Sequence, residues 1–223
     1  MKGKLIVLEG LDGSGKSTQF ELLQEALATR AEKILGISFP DYKEPSSTLV
    51  KMYLNGEFGS DPSSVNAYAA SMFYAADRYA CYRKFWQEDY LRGTVILAAR
   101  YVTSNAIYQM TKLPKDEWDS YLDWLEDFEY EKLGLPRPDC VFFLDMPPEI
   151  SQKLLAARYQ ENGGKKDIHE SDIAFLKHCR EAAQYVSARW GWKWISCAAG
   201  ESPRSIAEIA GELTVAVEAE LNR

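Results

Sequence analysis

Short apolar runs alternate along the chain with longer stretches in which apolar residues recur at helical spacing. Runs of the kind that form buried strands occur at residues 5–8, 34–39, 95–98, 141–144 and 193–197. Strands that alternate with helices form a parallel sheet that helices cover on both faces. The pattern therefore predicts an α/β fold. Because no internal repeat or low-complexity tract interrupts it, we expect one domain over residues 1–223.

The stretches between these runs have the periodicity of amphipathic helices. Residues 63–91 predict one long buried helix. Its apolar positions include Tyr68, Met72, Ala75, Ala76, Tyr79 and Tyr82. Residues 113–134 are rich in aromatic side chains and predict another helix. Pro114 marks the start of this helix and Gly134 marks its end. Further helices are expected at residues 17–29, 149–159 and 170–188. The Gly-Gly segment at 160–166 is either a solvated turn or a mobile lid.

The segment EGLDGSGKST at residues 9–18 fits the pattern G-x-x-x-x-G-K-[ST]. It follows a predicted strand and precedes a predicted helix, which is the context in which this pattern binds polyphosphate. Glycines let backbone N–H groups point at phosphate oxygens, Lys16 reaches the β and γ phosphates, and the Ser17 hydroxyl ligates Mg²⁺. The residues predicted to contact ATP are Gly10, Leu11, Asp12, Gly13, Ser14, Gly15, Lys16, Ser17 and Thr18.

Charge and composition limit the other partners. The net charge of −7 and the pI near 5.1 argue against nonspecific binding to nucleic acid or to anionic lipid. No apolar run reaches membrane-spanning length and the chain enters its first strand directly, so we expect a cytoplasmic protein without signal peptide or anchor. The four cysteines include no C-x-x-C pair, which argues against a zinc site and predicts buried, reduced thiols at Cys140 and Cys197.

A phosphate loop alone is shared by kinases, GTPases and motor ATPases. The guanine-reading pattern N-K-x-D of GTPases is absent from this sequence, and the chain is short for an ATPase motor. The sequence therefore favours a small enzyme that moves phosphate from ATP to a small acceptor.

Several further motifs follow the phosphate loop in order along nearly the whole chain. They are F-P-D-Y at 39–42, Y-A-A-D-R at 74–78, R-Y-V-T-S-N at 100–105, L-D-M-P-P-E at 144–149 and D-I-H-E at 167–170. Together with the loop they resemble the thymidylate kinase family. The resemblance implies a five-stranded parallel sheet of the P-loop nucleoside monophosphate kinase type with a short lid at about 159–168. It also implies phosphorylation of dTMP to dTDP by ATP and Mg²⁺, usually in a homodimer.

The F-P-D-Y motif corresponds to the loop that shapes the acceptor-phosphate end in the family, which assigns Phe39 and Tyr42 to substrate binding. Asp41 stands where the family often has arginine, and an acid cannot bind phosphate directly. Lys43 could supply the positive charge instead. The alternative is a surface turn built on Pro40.

Tyr74 and Arg78 lie four residues apart on a predicted helix and so share a face. In the family, the aromatic residue stacks on thymine and the arginine donates to a base carbonyl. The alternative is a core tyrosine beside an arginine that pairs with Asp77.

The remaining acceptor-side residues also come from the resemblance. Arg100 would grip the acceptor phosphate, Asn105 would bind the pyrimidine edge, and Tyr108 would lie near the 2′ position of the sugar. Asp167 and Glu170 resemble a pair that faces the sugar. Asn105 and Tyr108 could instead be ordinary helix residues, and the two acids could simply favour the start of a helix.

One departure from the family concerns the residue before Arg100, where the family has aspartate and this chain has Ala99. Such an acid commonly orients Mg²⁺ and its waters in phosphate-loop enzymes. Asp12 and Glu9 could replace its charge, with Glu9 as a further candidate metal ligand. The other two explanations are a weak or inactive relative and an introduced substitution.

A second departure concerns the catalytic cation. The family places a catalytic arginine either in the phosphate loop or in the lid, and here Gly13-Ser14-Gly15 contains no basic residue. The resemblance therefore implies that the lid supplies the cation that neutralises the transferring phosphoryl. Arg158 is expected to brace ATP while Lys165 or Lys166 closes on the γ phosphate. Rival functions are a nucleoside kinase, a kinase of another monophosphate such as dUMP, and a nucleotide-binding protein without turnover.

Overall fold

The computed structural model describes residues 2–29, 33–59, 61–162 and 173–222, and it gives the main chain alone at 62 and 157–162. The expected lid residues Lys165, Lys166, Asp167 and Glu170 lie outside the described residues, as does the side chain of Arg158.

The five apolar runs form one parallel sheet, as predicted. Its strands are β1 (Leu5–Gly10), β2 (Ile34–Ser38), β3 (Val95–Ala99), β4 (Cys140–Asp145) and β5 (Lys193–Ser196). They lie in the order β2-β3-β1-β4-β5. A short antiparallel pair, β6 (Ala198–Ala199) and β7 (Ser202–Pro203), follows.

Helices connect and cover the strands. The α-helices are α1 (Lys16–Leu27), α2 (Thr48–Leu54), α3 (Ala67–Cys81), α4 (Gln87–Leu91), α5 (Val102–Tyr108), α6 (Trp118–Glu126), α7 (Pro148–Asn162), α8 (Ile173–Trp190) and α9 (Ile206–Leu221). Short 3₁₀ turns lie at Pro45–Ser47, Pro62–Ser64, Met110–Lys112 and Lys115–Glu117, and π-helical turns at Tyr82–Trp86 and Asp127–Lys132.

The predicted long helices are interrupted. The stretch 63–91 begins with a 3₁₀ turn and divides into α3, a π turn and α4. Three aromatic residues spaced four apart, Tyr82, Trp86 and Tyr90, are all buried. The π turn has more residues per turn than an α-helix, so side chains four residues apart stay on the same buried face. Residues 113–134 likewise contain a 3₁₀ turn, α6 and a π turn.

The expected burial of the first stretch is correct only in part. Ala75 and Tyr82 are buried, whereas Tyr68, Met72, Ala76 and Tyr79 are exposed. Apolar periodicity identifies a helix but does not show how much of its surface is buried, because that depends on which elements pack against it.

Two apolar layers lie on opposite faces of the sheet. One contains Val7, Ile96 and Phe143 with side chains of α5 and α8, and the other contains Leu8 and Leu97 with side chains of α1 and α9. The four cysteines are buried free thiols, which confirms the expectation for Cys140 and Cys197. Among the described helices, none combines the length and apolar character that a membrane crossing requires.

Lys112 provides a stability prediction. Its Nζ donates to the Tyr53 hydroxyl and to the Val65 carbonyl, both at 2.9 Å, and burial lowers the pKa of Lys112 to about 8. Because the unfolded lysine titrates near pH 10.4, the folded state penalises the cation fully below pH 8, and the penalty disappears as the pH rises from 8 towards 10. We expect the free energy of unfolding to rise by about 1 kcal/mol more between pH 7.5 and 9.5 in the wild type than in Lys112→Met. Urea unfolding at both pH values checks this, and parallel changes in the two proteins would contradict it.

Candidate active site

The candidate site lies at the carboxyl edge of the sheet, where β1 and β3 are neighbours. The connection after β1 leads towards β2, whereas the connection after β3 leads to β4 on the opposite side of β1. Ligands of open parallel sheets bind at such a switch point. The two segments that leave this point are the phosphate loop and the segment that begins with Arg100.

The phosphate loop joins β1 to α1. At two of its positions the backbone adopts a conformation that favours glycine. Gly13 and Gly15 have φ values of 77° and 80°, in the left-handed region. A Cβ on Gly13 would also approach the Leu155 Cγ atom to 2.8 Å. The loop therefore turns tightly enough to place the first N–H groups of α1 at the cavity, where the helix dipole favours an anion.

The loop borders a cavity of about 330 Å³, which we call the phosphate cavity. It is lined by Leu11, Asp12, Gly13, Ser14, Gly15, Lys16, Ser17, Thr18, Ser38, Phe39, Pro40, Tyr42, Ala99 and Arg100. All residues predicted to contact ATP are among these except Gly10, which is buried at the end of β1.

A second cavity of about 100 Å³, the acceptor cavity, adjoins the first. It is lined by Asp12, Phe39, Pro40, Tyr42, Leu54, Tyr74, Arg78, Arg100, Ser104, Asn105, Tyr108 and Gln109. The structure thus brings together seven of the side chains predicted to bind the acceptor. Lys43 does not line this cavity and instead lines a groove along β2, together with Phe39 and Tyr42.

Arg100 lies on the boundary between the two cavities and lines both. Its Nη2 donates to Asp12 Oδ1 at 2.5 Å, and its guanidinium lies 5.1 Å from the ring centre of Tyr108. The Tyr108 hydroxyl donates to Asp12 Oδ2 at 3.1 Å. Burial raises the pKa of Tyr108 well above its usual value, so this hydroxyl stays protonated and remains a donor. Asp12 therefore holds Arg100 and Tyr108 together.

Glu9 lies beneath this boundary and is fully buried. Its Oε1 accepts from the hydroxyls of Thr103 and Ser104 at 2.6 and 2.8 Å and from the Tyr101 N–H at 3.3 Å. Its Oε2 has no hydrogen-bond partner in the described part of the chain. This oxygen is therefore a group that a nearby cation or its waters could satisfy.

The residues present fit a magnesium ion that arrives with a triphosphate. Ser17 lines the phosphate cavity and offers a hydroxyl, whereas Ala99 lines it and offers no side-chain oxygen. Glu9 has an unpartnered carboxylate oxygen but is buried and does not line the cavity. Within the residues that the structure describes, no three His, Cys, Asp or Glu side chains converge as a metal site. Mg²⁺ bound to substrate phosphates needs only one or two protein ligands, so this sparse set is sufficient.

Arg78 is 1% exposed and binds Glu129, an acid that the sequence motifs do not mark. The Nε and Nη2 atoms of Arg78 donate to the two Glu129 carboxylate oxygens at 2.7 and 2.6 Å. The alternative pairing of Arg78 with Asp77 is wrong. Asp77 instead accepts from the Asp41 N–H and from the Ser46 hydroxyl, which fixes the loop after β2. An acid on the apolar face of the aromatic-rich segment was the only sequence signal for Glu129.

Comparison with known proteins agrees with this geometry. The family model described as thymidylate kinase matches residues 8–208. A thymidylate kinase of Mycobacterium tuberculosis is 30% identical over 207 residues, which are 91% of this chain and 95% of that protein. A probable thymidylate kinase of Pyrobaculum aerophilum is 28% identical over 93% of this chain and 94% of that one.

The fold recurs in a solved thymidylate kinase of Candida albicans. The two superpose with a TM-score of 0.73 at 23% identity, over 99% of this chain and 93% of that one. The five-stranded parallel architecture is thus shared with that solved structure. With the family model covering most of its length, this chain belongs to the thymidylate kinase family of ATP-dependent nucleoside monophosphate kinases.

Proposed function

We propose that this protein transfers the γ-phosphoryl group of ATP to dTMP, giving dTDP and ADP. The observation that carries the proposal is the position of Arg100, which lines both the phosphate cavity and the acceptor cavity. A cation shared by the two cavities can bind the acceptor phosphate beside the γ phosphate. A phosphate acceptor is already an anionic nucleophile, so no general base is required.

On the donor side, the phosphate loop holds the triphosphate with backbone N–H groups and Lys16. Ser17 would hold Mg²⁺ through its hydroxyl, and the buried carboxylate of Glu9 would add negative charge nearby. The ion supplies neutralisation of the β- and γ-phosphate oxygens when bound. Asp12 keeps Arg100 aimed at the boundary. Positioning and charge neutralisation of this kind supply most of the catalysis in phosphoryl transfer.

On the acceptor side, Tyr74 offers a ring face for the base, and Arg78 and Asn105 offer polar groups for its edge. Phe39 and Tyr42 close the cavity next to the phosphate loop. Tyr108 lies against Arg100, where its ring would crowd a ribose 2′-hydroxyl.

The lid completes the proposal. Arg158 would brace ATP while Lys165 or Lys166 closes on the γ phosphate, and Asp167 and Glu170 would face the acceptor sugar. Lys43 remains a proposed contributor of positive charge to the acceptor end. Assembly as a homodimer likewise remains a proposal. A weakly active enzyme is the second candidate, because Ala99 lines the phosphate cavity without a carboxylate.

An assay of ADP release with dTMP, dUMP, UMP and thymidine as acceptors tests the function. We expect the highest kcat/KM with dTMP and no turnover above background with thymidine, which lacks the phosphate that Arg100 would bind. A Lys16→Met protein purified in the same way controls for contaminating kinases. Turnover of thymidine above that of dTMP would contradict the proposal, and binding of ATP and dTMP without ADP release would identify a non-catalytic protein.

A further inference from the structure

Glu129 is a fully buried acid next to the acceptor cavity that does not itself line the cavity. Its partners Arg78 and Asn105 do line it. We propose that Glu129 is a positioning residue that sets the donor and acceptor pattern offered to the acceptor base and thereby selects thymine over cytosine. This inference rests on the proposed function.

The first step concerns Arg78. A guanidinium this deeply buried needs an anion, and Glu129 binds it through two parallel hydrogen bonds that fix the plane of the group. Burial opposes the charge, but Glu129 raises the pKa of Arg78, so it stays a cation. Nη1 also donates to the Tyr101 carbonyl at 3.3 Å. Three of the five N–H groups are then engaged, and one on each terminal nitrogen remains for a ligand.

The second step concerns Asn105. Its Nδ2 donates to Glu129 Oε1 at 3.0 Å and to the Ser71 carbonyl at 3.3 Å. A carboxylate and a carbonyl only accept, so the amide nitrogen must face them. Both amide hydrogens are then engaged, and the group that Asn105 can offer to a ligand in the cavity is its carbonyl oxygen.

The third step is the match to the base. The cavity presents a donor from Arg78 and an acceptor from Asn105. Thymine and uracil present the complement, an O4 acceptor beside an N3–H donor, whereas cytosine presents an amino donor beside an N3 acceptor. Binding cytosine would oppose donor to donor and acceptor to acceptor, which leaves buried polar groups unpaired. The same oxygen, Glu129 Oε1, accepts hydrogen bonds from both Arg78 and Asn105. Glu129 therefore fixes the orientation of both side chains together.

The local fold turns the side chain of Glu129 inward. Glu129 lies in the π turn Asp127–Lys132, and both it and the adjacent Tyr130 are buried. Two consecutive inward side chains are unusual on the last turn of an amphipathic helix. π turns of this kind often occur at functional sites.

The test replaces Glu129 by glutamine, which keeps the size but can donate to Asn105 and so permits its amide to turn over. We expect KM for dTMP to rise by about 100-fold with kcat largely kept, and the preference for dTMP over dCMP to shrink at least about tenfold. Glu131→Gln is the matched control, because Glu131 lies in the same π turn but is 60% exposed and pairs with Arg137. It should leave both parameters unchanged.

An unchanged preference for dTMP over dCMP in Glu129→Gln would overturn the proposal, whether the two substrates lose activity equally or not at all. A merely structural role predicts such an equal loss. If Glu129→Gln does not fold, Glu129→Asp carries the test, because its oxygens still only accept. We then expect a raised KM for dTMP with the dTMP preference kept, and a loss of kcat at unchanged KM would contradict the proposal. Wild-type turnover of dTMP in the same assay tests the proposed function separately.

Discussion

Replacing Arg100 by methionine is expected to lower kcat/KM for dTMP by about 10³-fold. Arg100 is the only side chain in the described part of the acceptor cavity, apart from the Glu129-bound Arg78, that carries a positive charge. Without Arg100, the negative charges of the acceptor phosphate and the γ phosphate are less well neutralised and repel each other more strongly. Asp12 would also lose its ion pair with Arg100, so its charge would oppose both phosphates more strongly.

Steady-state kinetics with ATP and dTMP varied in turn would measure this effect. Arg100→Lys keeps the charge but not the planar fork, so we expect an intermediate loss of about 10- to 100-fold. Arg92→Met is the surface control, because Arg92 is 73% exposed and pairs with Glu88, four residues earlier. A loss below tenfold in Arg100→Met would show that the acceptor phosphate is bound elsewhere.

The strands and the phosphate loop were predictable because they depend on local sequence. Each predicted strand lies within two residues of the observed one, since a buried parallel strand is a short apolar run between helices. The loop was equally clear, because glycines at fixed spacing are required by its backbone, as the positive φ values of Gly13 and Gly15 show.

The π turns were not predictable, because the apolar pattern of a helix with a π turn differs little from that of a continuous helix. Glu129 was missed for a related reason. It meets Arg78 across 51 residues of sequence and Asn105 across 24, and no spacing rule connects α3, α5 and the π turn after α6. Motifs mark the groups that face the ligand, whereas a supporting residue is identified only by three-dimensional contact.

Asp12 illustrates a further limit. The sequence places it in the phosphate loop and offers it, together with Glu9, as one explanation for the missing acid at position 99. The structure instead shows its carboxylate bound to Arg100 and Tyr108. Its charge is thus already compensated, and Glu9 is the acid with an unpartnered oxygen. Of the two acids that could replace the charge missing at position 99, Glu9 is thus the one with an oxygen that is not engaged by the described residues.

Restoring the acid with Ala99→Asp is expected to raise the apparent Mg²⁺ affinity or the rate of transfer by about 10- to 100-fold. Ala99 ends β3, pairs with Leu8 and Ser38 in the sheet, and is only 7% exposed, yet it lines the phosphate cavity together with Ser17. A carboxylate here would have a direct path to a metal ion on the triphosphate. Single-turnover phosphorylation of dTMP over a range of Mg²⁺ concentrations would measure the gain.

Two controls separate charge from shape in this prediction. Ala99→Asn has nearly the same shape without the charge, so it should stay close to the wild type. Mg²⁺-dependent ATP binding, measured without acceptor, should improve in Ala99→Asp alone. The new carboxylate adds to the negative charge of Glu9 and Asp12. Without Mg²⁺ the repulsion among these groups should lower the free energy of unfolding of Ala99→Asp. Equal rates and equal Mg²⁺ dependence in the wild type and in Ala99→Asp would contradict this prediction and would mean that Glu9 already supplies the negative charge that Mg²⁺ requires. Glu9→Gln should then lower the rate of transfer or the apparent Mg²⁺ affinity.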